Sequence, residues 1–498
     1  MKKFIEKYNL LFVIGIVILV CVLASWLLPA SQYTSGKLAT SANNAMQFGA
    51  AAEDTRIGLF DLGTYGILAL RYFTEFFVFI FVVAGFYKLL GTVDAYQKIT
   101  DGIAKKFERV NKVFVAISTL VFAILASLFT TYYALFLLIP FAITILSKLK
   151  VDKITGLCAT FGGALIGVLA STYSSSVAGV MADSSMLGVS YGNEFVIVLI
   201  LGLVAYALMM TFVMLRMNKK PESLLEDPFA PAKAEAKEEK ATAKKATAKK
   251  VAVKKAAPKA NVVPLAIILV LLFALTVLGY IAWSAAFNVT AFDDAFNWLT
   301  EATIGDFPIY HHLLGTVFTA FGNWDLYTGA VVIFLTTLLI KVIYRLPLAH
   351  IYQQFGEGFK RIGKVVVTLL AVYVVLELAA IFPRIAGIDS FILGAEPTGV
   401  NAAQLFGSGV LTSIFTVDFS YLATFLGSVF ATYADVKIAA VIMQAAYGFA
   451  MFIAPTSVLL VSGLSLFDLK YTDWFKAMWK FLLALLFVII ILFVIITL

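Results

Sequence analysis

Charge is what this chain has least of. Only 14% of its 498 residues are Asp, Glu, Lys or Arg, against roughly 25% in an ordinary soluble domain. Cysteine is nearly absent. Cys21 and Cys158 both fall in apolar stretches, which leaves no disulfide framework and no cysteine metal site. Histidine occurs three times, as His311, His312 and His350. The sequence contains no HExxH or GxxxxGK[ST] pattern, so a zinc protease or a nucleotide-driven pump has no engine here. Alternation at period two is missing, which argues against a membrane β-barrel.

What is present is apolar and comes in blocks. The chain is 61% hydrophobic with a mean hydropathy of +0.94. Leu10 to Leu28, Phe195 to Leu215, Val262 to Phe292 and Phe481 to Leu498 carry no charge. Each is long enough to cross about 30 Å of hydrocarbon as a helix. The first block is too long for a signal-peptide core and is read as a retained span. The sequence predicts an all-α polytopic membrane protein with spans over 9–29, 68–90, 154–181, 194–215, 262–284, 327–345, 364–382, 437–467 and 478–497. Two further apolar segments, 113–147 and 403–434, are read as re-entrant hairpins.

Basic residues set the orientation. Lys2, Lys3 and Lys7 place the N-terminus in the cytoplasm. Lys98, Lys105, Lys106, Arg109 and Lys112 mark a second inside loop, and Lys148, Lys150 and Lys153 return the first hairpin to that side. Residues 284–326 hold five acids and no Lys or Arg, so they lie outside. Lys341, Arg345, Lys360, Arg361 and Lys364, then Lys470, Lys476 and Lys480, are inside again. The C-terminus then falls outside. The expected location is a bacterial inner membrane.

The chain divides into an N-terminal membrane half, 1–215, a segment at 216–261, and a C-terminal half, 262–498. The middle segment is Ala/Lys-rich and too poor in large apolar residues to build a core. It reads as a solvated cytoplasmic linker. A tether touching anionic lipid or nucleic acid is the alternative, and the solvated linker, with no nucleic-acid partner, is the expectation. The linker supplies most of the +8 net charge.

An internal repeat runs at one constant offset. Leu125-Ala126-Ser127-Leu128-Phe129-Thr130 aligns with Leu411-Thr412-Ser413-Ile414-Phe415-Thr416 at 286 residues, with four of six positions identical. Ala159, Gly162, Ala164 and Ser171 align with Ala445, Gly448, Ala450 and Ser457 at the same offset. The first hairpin opens from inside and the second from outside, so the repeat is inverted. That architecture lets one site face either side of a membrane in turn.

Each copy carries two polar interruptions. The first has Ser127, Thr130 and Thr131 in its hairpin, then Ser171, Thr172 and Ser174. The second has Ser413, Thr416 and Asp418, then Pro455, Thr456 and Ser457. Backbone groups in lipid must be satisfied internally, so breaks survive where protein or a watery cavity covers them. Broken helix ends offer N–H groups to anions and C=O groups to cations. Any one Ser or Thr is as well explained by bonding back to its own helix. The set, in register across two halves, points to a substrate site with coupling-ion sites. Asp418 is the intramembrane carboxylate to test first, since such groups face a cavity or a partner. Tyr132, Tyr133, Tyr173 and Tyr433 are candidate lining residues. Asp435 and Lys437 read as a structural pair, Glu377 as a residue reaching the interface, and His311-His312 as a solvated pair.

Gln444-Ala445-Ala446-Tyr447-Gly448-Phe449, Ala454-Pro455-Thr456-Ser457 and Tyr471-Thr472-Asp473-Trp474-Phe475-Lys476 resemble the C-terminal signature of YfcC-like carriers. These belong with the anaerobic dicarboxylate carriers of the ion transporter superfamily. Leu27-Leu28-Pro29-Ala30-Ser31-Gln32-Tyr33 is similar to that family's first-helix exit. The resemblance implies a secondary carrier for a small organic acid or amino acid, coupled to Na+ or H+ or working by exchange, with no other cofactor, and a homodimer in the bilayer. It assigns contacts to Ser127, Thr130, Ser171, Thr172, Ser413, Thr456 and Ser457. This chain departs from the pattern at Tyr132-Tyr133, where relatives often carry paired acids, and at Ser174-Ser175, where they often have Asn-Pro. Two substrates therefore stay open: a dicarboxylate, or a basic amino acid such as arginine exchanged for ornithine. An enzyme is not expected. A channel or a scaffold is a further alternative.

Overall fold

A computed structural model describes residues 8–34, 36–39, 56–184, 186–231, 261–315, 318–397 and 399–497. Lys2, Lys3, Lys7 and the Lys-rich body of the linker lie outside the described residues. The fold is all-α. Its one sheet among the described residues is the small antiparallel pair β1 (Gln32–Thr34) and β2 (Lys37–Ala39). Nine helices among the described residues are long and apolar enough to cross a membrane.

The helices that matter for the site are, in order, α1 (Asn9–Leu27), α2 (Leu59–Tyr72), α3 (Thr74–Thr92), α4 (Asp94–Phe107), α5 (Asn111–Leu128), α6 (Tyr132–Lys148), α7 (Lys153–Leu169) and α8 (Glu194–Met217). After the linker come α9 (Val262–Tyr280), α10 (Leu326–Tyr344), α11 (Leu348–Ile381), α12 (Ile385–Leu393), α13 (Ala402–Thr416), α14 (Phe419–Phe430), α15 (Val436–Ile453), α16 (Val458–Leu466) and α17 (Tyr471–Thr497). The lipid-length helices expose apolar side chains on their outer faces, such as Leu19 and Leu23 on α1 and Leu335 on α10. The innermost helix, α15, is buried almost all round.

Polar side chains punctuate these apolar runs. Asp152 starts α7 by accepting from the N–H groups of Ile154 and Thr155. Asn401 and Gln404 form a reciprocal capping box at α13, and Asp435 caps α15. Each satisfies backbone donors that the first turn leaves open. Asp435 thus serves its own helix, and no ion pair with Lys437 joins it among the described residues. Glu377 lies inside α11 and is buried rather than reaching an interface. The span expected at 364–382 is the second part of α11, which begins 16 residues earlier, at Leu348. The basic residues Lys360, Arg361 and Lys364 are therefore helical rather than in a loop.

The segment 154–181 is not one helix. It runs to Leu169, opens over Ala170–Ser174, and resumes as a short turn at Ser175–Ala182. Two hairpins fold back on themselves. Lys148, at the far end of α6, returns to Gln97, Thr100 and Asp101 of α4, just ahead of α5. On the other side, Tyr33 of β1 donates to the Gly394 carbonyl ahead of α13 and accepts at its own carbonyl from Ser428 in α14.

The element order of the first half recurs in the second. Adding 286 to α5, 111–128, gives 397–414, which overlaps α13; α6, 132–148, maps to 418–434 and overlaps α14; α7, 153–169, maps to 439–455 and overlaps α15. The packing recurs too, since α5 lies against α7 as α13 lies against α15. Small residues permit the close approach between membrane helices. A Cβ on Gly167 would lie 2.2 Å from the Ala123 carbonyl oxygen, and one on Gly448 would lie 2.3 Å from the Leu169 Cα.

Candidate functional site

The first interruption and the one that follows it are joined by hydrogen bonds. Ser127 donates through Oγ to the Ala170 carbonyl at 2.8 Å and lies 2.8 Å from Thr172 Oγ1. Its own carbonyl collects three backbone N–H groups, from Thr172 at 3.2 Å and from Tyr173 and Ser174 at 3.1 Å. Thr130 accepts at its carbonyl from the Ser176 N–H at 3.1 Å. Thr131 caps the turn that follows it, and Ser174 and Ser176 share a hydroxyl contact of 2.7 Å. The broken helix ends are thus covered by the hairpin tip, as a low-dielectric setting requires.

The second pair is built alike. Thr456 donates through Oγ1 to the Ile414 carbonyl at 2.5 Å, and Ser457 caps α16. Pro455 sits in the gap between α15 and α16, where a missing N–H costs nothing. Ser413 bonds back to the Gly409 carbonyl at 2.6 Å. At the hairpin tip Val417 has φ 60° and ψ −53°, a conformation β-branched residues rarely adopt.

The two pairs meet at Asp418. Tyr133 donates its hydroxyl to Asp418 Oδ1 at 2.5 Å and Tyr132 reaches the same oxygen at 3.2 Å. Tyr447 lies 3.0 Å from the Tyr132 hydroxyl and 3.1 Å from the Val417 carbonyl, and Tyr373 reaches the Tyr133 hydroxyl at 3.4 Å. Each phenol has one proton to give, so the carboxylate is the natural sink of this network. Tyr132 and Asp418 differ by 286 positions (418 − 132), the repeat offset itself. Equivalent places in the two halves therefore touch. Gln444 ties the halves again: Nε2 donates to the carbonyls of Leu169 at 3.1 Å and Ser171 at 2.9 Å, and Tyr191 donates to its Oε1.

Three candidate hydroxyls remain without a partner among the described residues. They are the buried Oγ atoms of Thr130, Ser171 and Thr416. Thr130 and Thr416 are again 286 apart. An unpaired buried hydroxyl is costly and calls for an occupant. On the acidic face, a cleft of about 500 Å³ reaches in to Thr130 and Ser175 past Trp283, Asn323 and Asp325. Among the described residues, the hydrogen bonds at the four breaks involve no Lys or Arg and no cluster of metal-ligating side chains occurs.

Of the sequence candidates, the structure joins Ser127 with Thr172, Thr456 with the Ser413–Ile414 turn, and Asp418 with Tyr132 and Tyr133. Tyr173 joins the break through its N–H, while its ring packs on Phe195 and Phe287. His312 is exposed and stacks on Phe307. Sequence reasoning missed Tyr373, which gives no motif, and the role of Gln444, which it quoted only as part of the C-terminal signature. It also missed Arg384 and Asp389, both buried, with Asp389 bonded to Thr412. Two opposite charges five apart in the apolar run Ile381–Gly394 were the available signal.

Against this geometry, a family model described as DcuC, C4-dicarboxylate anaerobic carrier, matches residues 8–498. No individually curated protein matches the chain. The matched family consists of carriers, not enzymes, and the match runs through both halves and all four breaks. The chain belongs to the DcuC family of C4-dicarboxylate anaerobic carriers, multi-pass transporters that act on small molecules in a lipid bilayer.

Proposed function

We propose that this protein is a secondary carrier of C4-dicarboxylates or closely related small organic acids, working by ion coupling or exchange. The carrying observation is the convergence of three backbone N–H groups, from Thr172, Tyr173 and Ser174, on one oxygen atom. That is the cradle a carboxylate oxygen takes at an opened helix end. The hairpin's own Ser127 carbonyl fills it here, so this arrangement is a closed one. Ser457 and the start of α16 offer the equivalent place in the second half. The free hydroxyls of Thr130, Ser171 and Thr416 add neutral donors that suit an anion in a site with no basic side chain.

Asp418 then serves the coupling cation, Na+ or H+, whose charge offsets that of the substrate. The meeting of Tyr132 with Asp418 supports two halves related by inverted repeat, rocking or sliding about a shared site. On this reading the basic face, with the N-terminus, is cytoplasmic, the membrane is the bacterial inner membrane, and the carrier is a homodimer. One observation favours a second reading: Asp418 is a carboxylate in a site without Lys or Arg, as a basic amino-acid exchanger would need.

Counterflow in proteoliposomes separates the two. Vesicles loaded with succinate should accumulate labelled fumarate or succinate and show no response to arginine or ornithine. Accumulation of labelled arginine against ornithine, with dicarboxylates inert, would transfer the site to the second reading.

A further inference from the structure

The chain that leaves α8 does not go straight into solvent. Asn218 accepts from Lys112 Nζ at 2.5 Å, and Arg216 pairs with Asp152 at 2.8 Å. Ser223 accepts from the Lys153 N–H at 3.1 Å, and the Leu225 N–H donates to the Val151 carbonyl at 2.9 Å. Leu225 is 3% exposed and covers Gly156, where a Cβ would lie 2.6 Å from its Cδ2. Then the chain turns inward. Asp227 accepts from Thr144 Oγ1 at 2.9 Å and from the Phe229 N–H at 2.8 Å. Burial pushes its carboxyl above the usual range, and those two bonds with Lys88 and Lys148 pull the other way. Lys88 Nζ holds the Ala230 carbonyl at 2.7 Å.

The result is to bury Phe229, 3% exposed, at the seam between the halves. Its ring closes a small pocket with about 20 Å³ of free space, lined by apolar side chains and Ser462. Val83 of α3 and Phe136 of α6 line it from the first half, Val365 of α11 and Leu466 of α16 from the second. From there a file of rings leads to the site. Phe136 lies 5.4 Å from Phe76, Phe76 lies 4.6 Å from Tyr133, and Tyr133 holds Asp418.

We propose that residues 222–231 form an intramolecular latch, with Phe229 as the plug that seals the cytoplasmic mouth of the route between the halves. Opening to the cytoplasm requires the plug to withdraw. The latch rests on the carrier reading and adds a gate supplied by the start of the linker. Its logic is local. The strap is pinned to α7 at one end and to α3 at the other, where Phe229 lies 5.9 Å from Tyr87, so parting α3 and α6 from α11 and α16 draws Phe229 off Val365 and Leu466.

The test is accessibility of a cysteine at Val365 in a background lacking Cys21 and Cys158. A membrane-impermeant maleimide is applied to the cytoplasmic face of inside-out vesicles, without substrate. Val365→Cys alone should label slowly. Adding Phe229→Ala should raise the initial rate at least tenfold, and adding Lys88→Ala, which loosens the strap from the far side, should raise it severalfold. Rates within twofold of the parent in both variants would overturn the latch. Should Phe229→Ala fail to insert, the Lys88→Ala comparison decides alone. Because labelling uses no transported solute, a failed counterflow assay would count against the carrier reading and leave this measurement intact.

Discussion

Asp418 concentrates the chemistry of the molecule in one side chain. Its Oδ1 receives Tyr133 at 2.5 Å and Tyr132 at 3.2 Å, while the four breaks offer no cation to balance it. Asp418→Asn keeps the shape and removes the charge. It should abolish substrate uptake or erase its dependence on Na+ and pH, measured as initial rates across gradients of each; unchanged uptake with unchanged ion dependence would remove Asp418 from the mechanism. Tyr133→Phe deletes the shortest bond of the network and should lower stability by about 1–2 kcal/mol, within the range for polar contacts between membrane helices, read as a lower unfolding midpoint in detergent. Ser457 is fully buried at the cap of α16. Ser457→Phe should block uptake while the protein still reaches the membrane at parental levels.

At the scale of elements, the close contact of α7 with α15 depends on Gly448. Its Cβ would sit 2.3 Å from the Leu169 Cα and 2.8 Å from the Leu169 Cβ. Gly448→Ala should cost about 1–3 kcal/mol by overpacking, whereas Gly407→Ala, with nothing within 4 Å, should change the midpoint little. Much at this scale was legible in the sequence, because a break in an apolar helix needs residues that satisfy or forgo backbone hydrogen bonds. Ser127, Ser171, Pro455 and Ser457 announce such places by type. The Tyr132–Asp418 contact, spaced by the repeat offset, was seen only once the structure showed that equivalent positions touch. The contact that Gln444 makes was not legible: a single amide in an apolar helix looks the same whether it faces a neighbour or holds two carbonyls at the end of another helix. The extended first part of α11 was hidden for a related reason, since Lys360, Arg361 and Lys364 mark an interface by charge without saying whether the backbone there is coiled or helical.

Over the whole molecule, the linker divides into two functional parts. Its first residues, through Pro231, pack on α3, α6 and α7, while the Lys-rich run follows. Composition could not separate them, because Pro221-Glu222-Ser223-Leu224-Leu225-Glu226-Asp227-Pro228 reads as polar tether until its contacts are known. Deleting 232–258 should leave counterflow near the parental rate. Extending the deletion back to 222 should change how the carrier opens, seen as faster thiol labelling at Val365→Cys.

A carrier made of two identical halves would meet its solute with the same set of groups from either compartment. Here the hairpin tips hold Tyr132 in one half and Asp418 in the other, so the molecule is lopsided at the point where its symmetry should be strictest. Half-saturation measured from outside should therefore differ from that measured from inside. Energy conservation still fixes the balance of forward and backward throughput at equilibrium, so a weaker grip on one side must be matched by a faster turnover from that side.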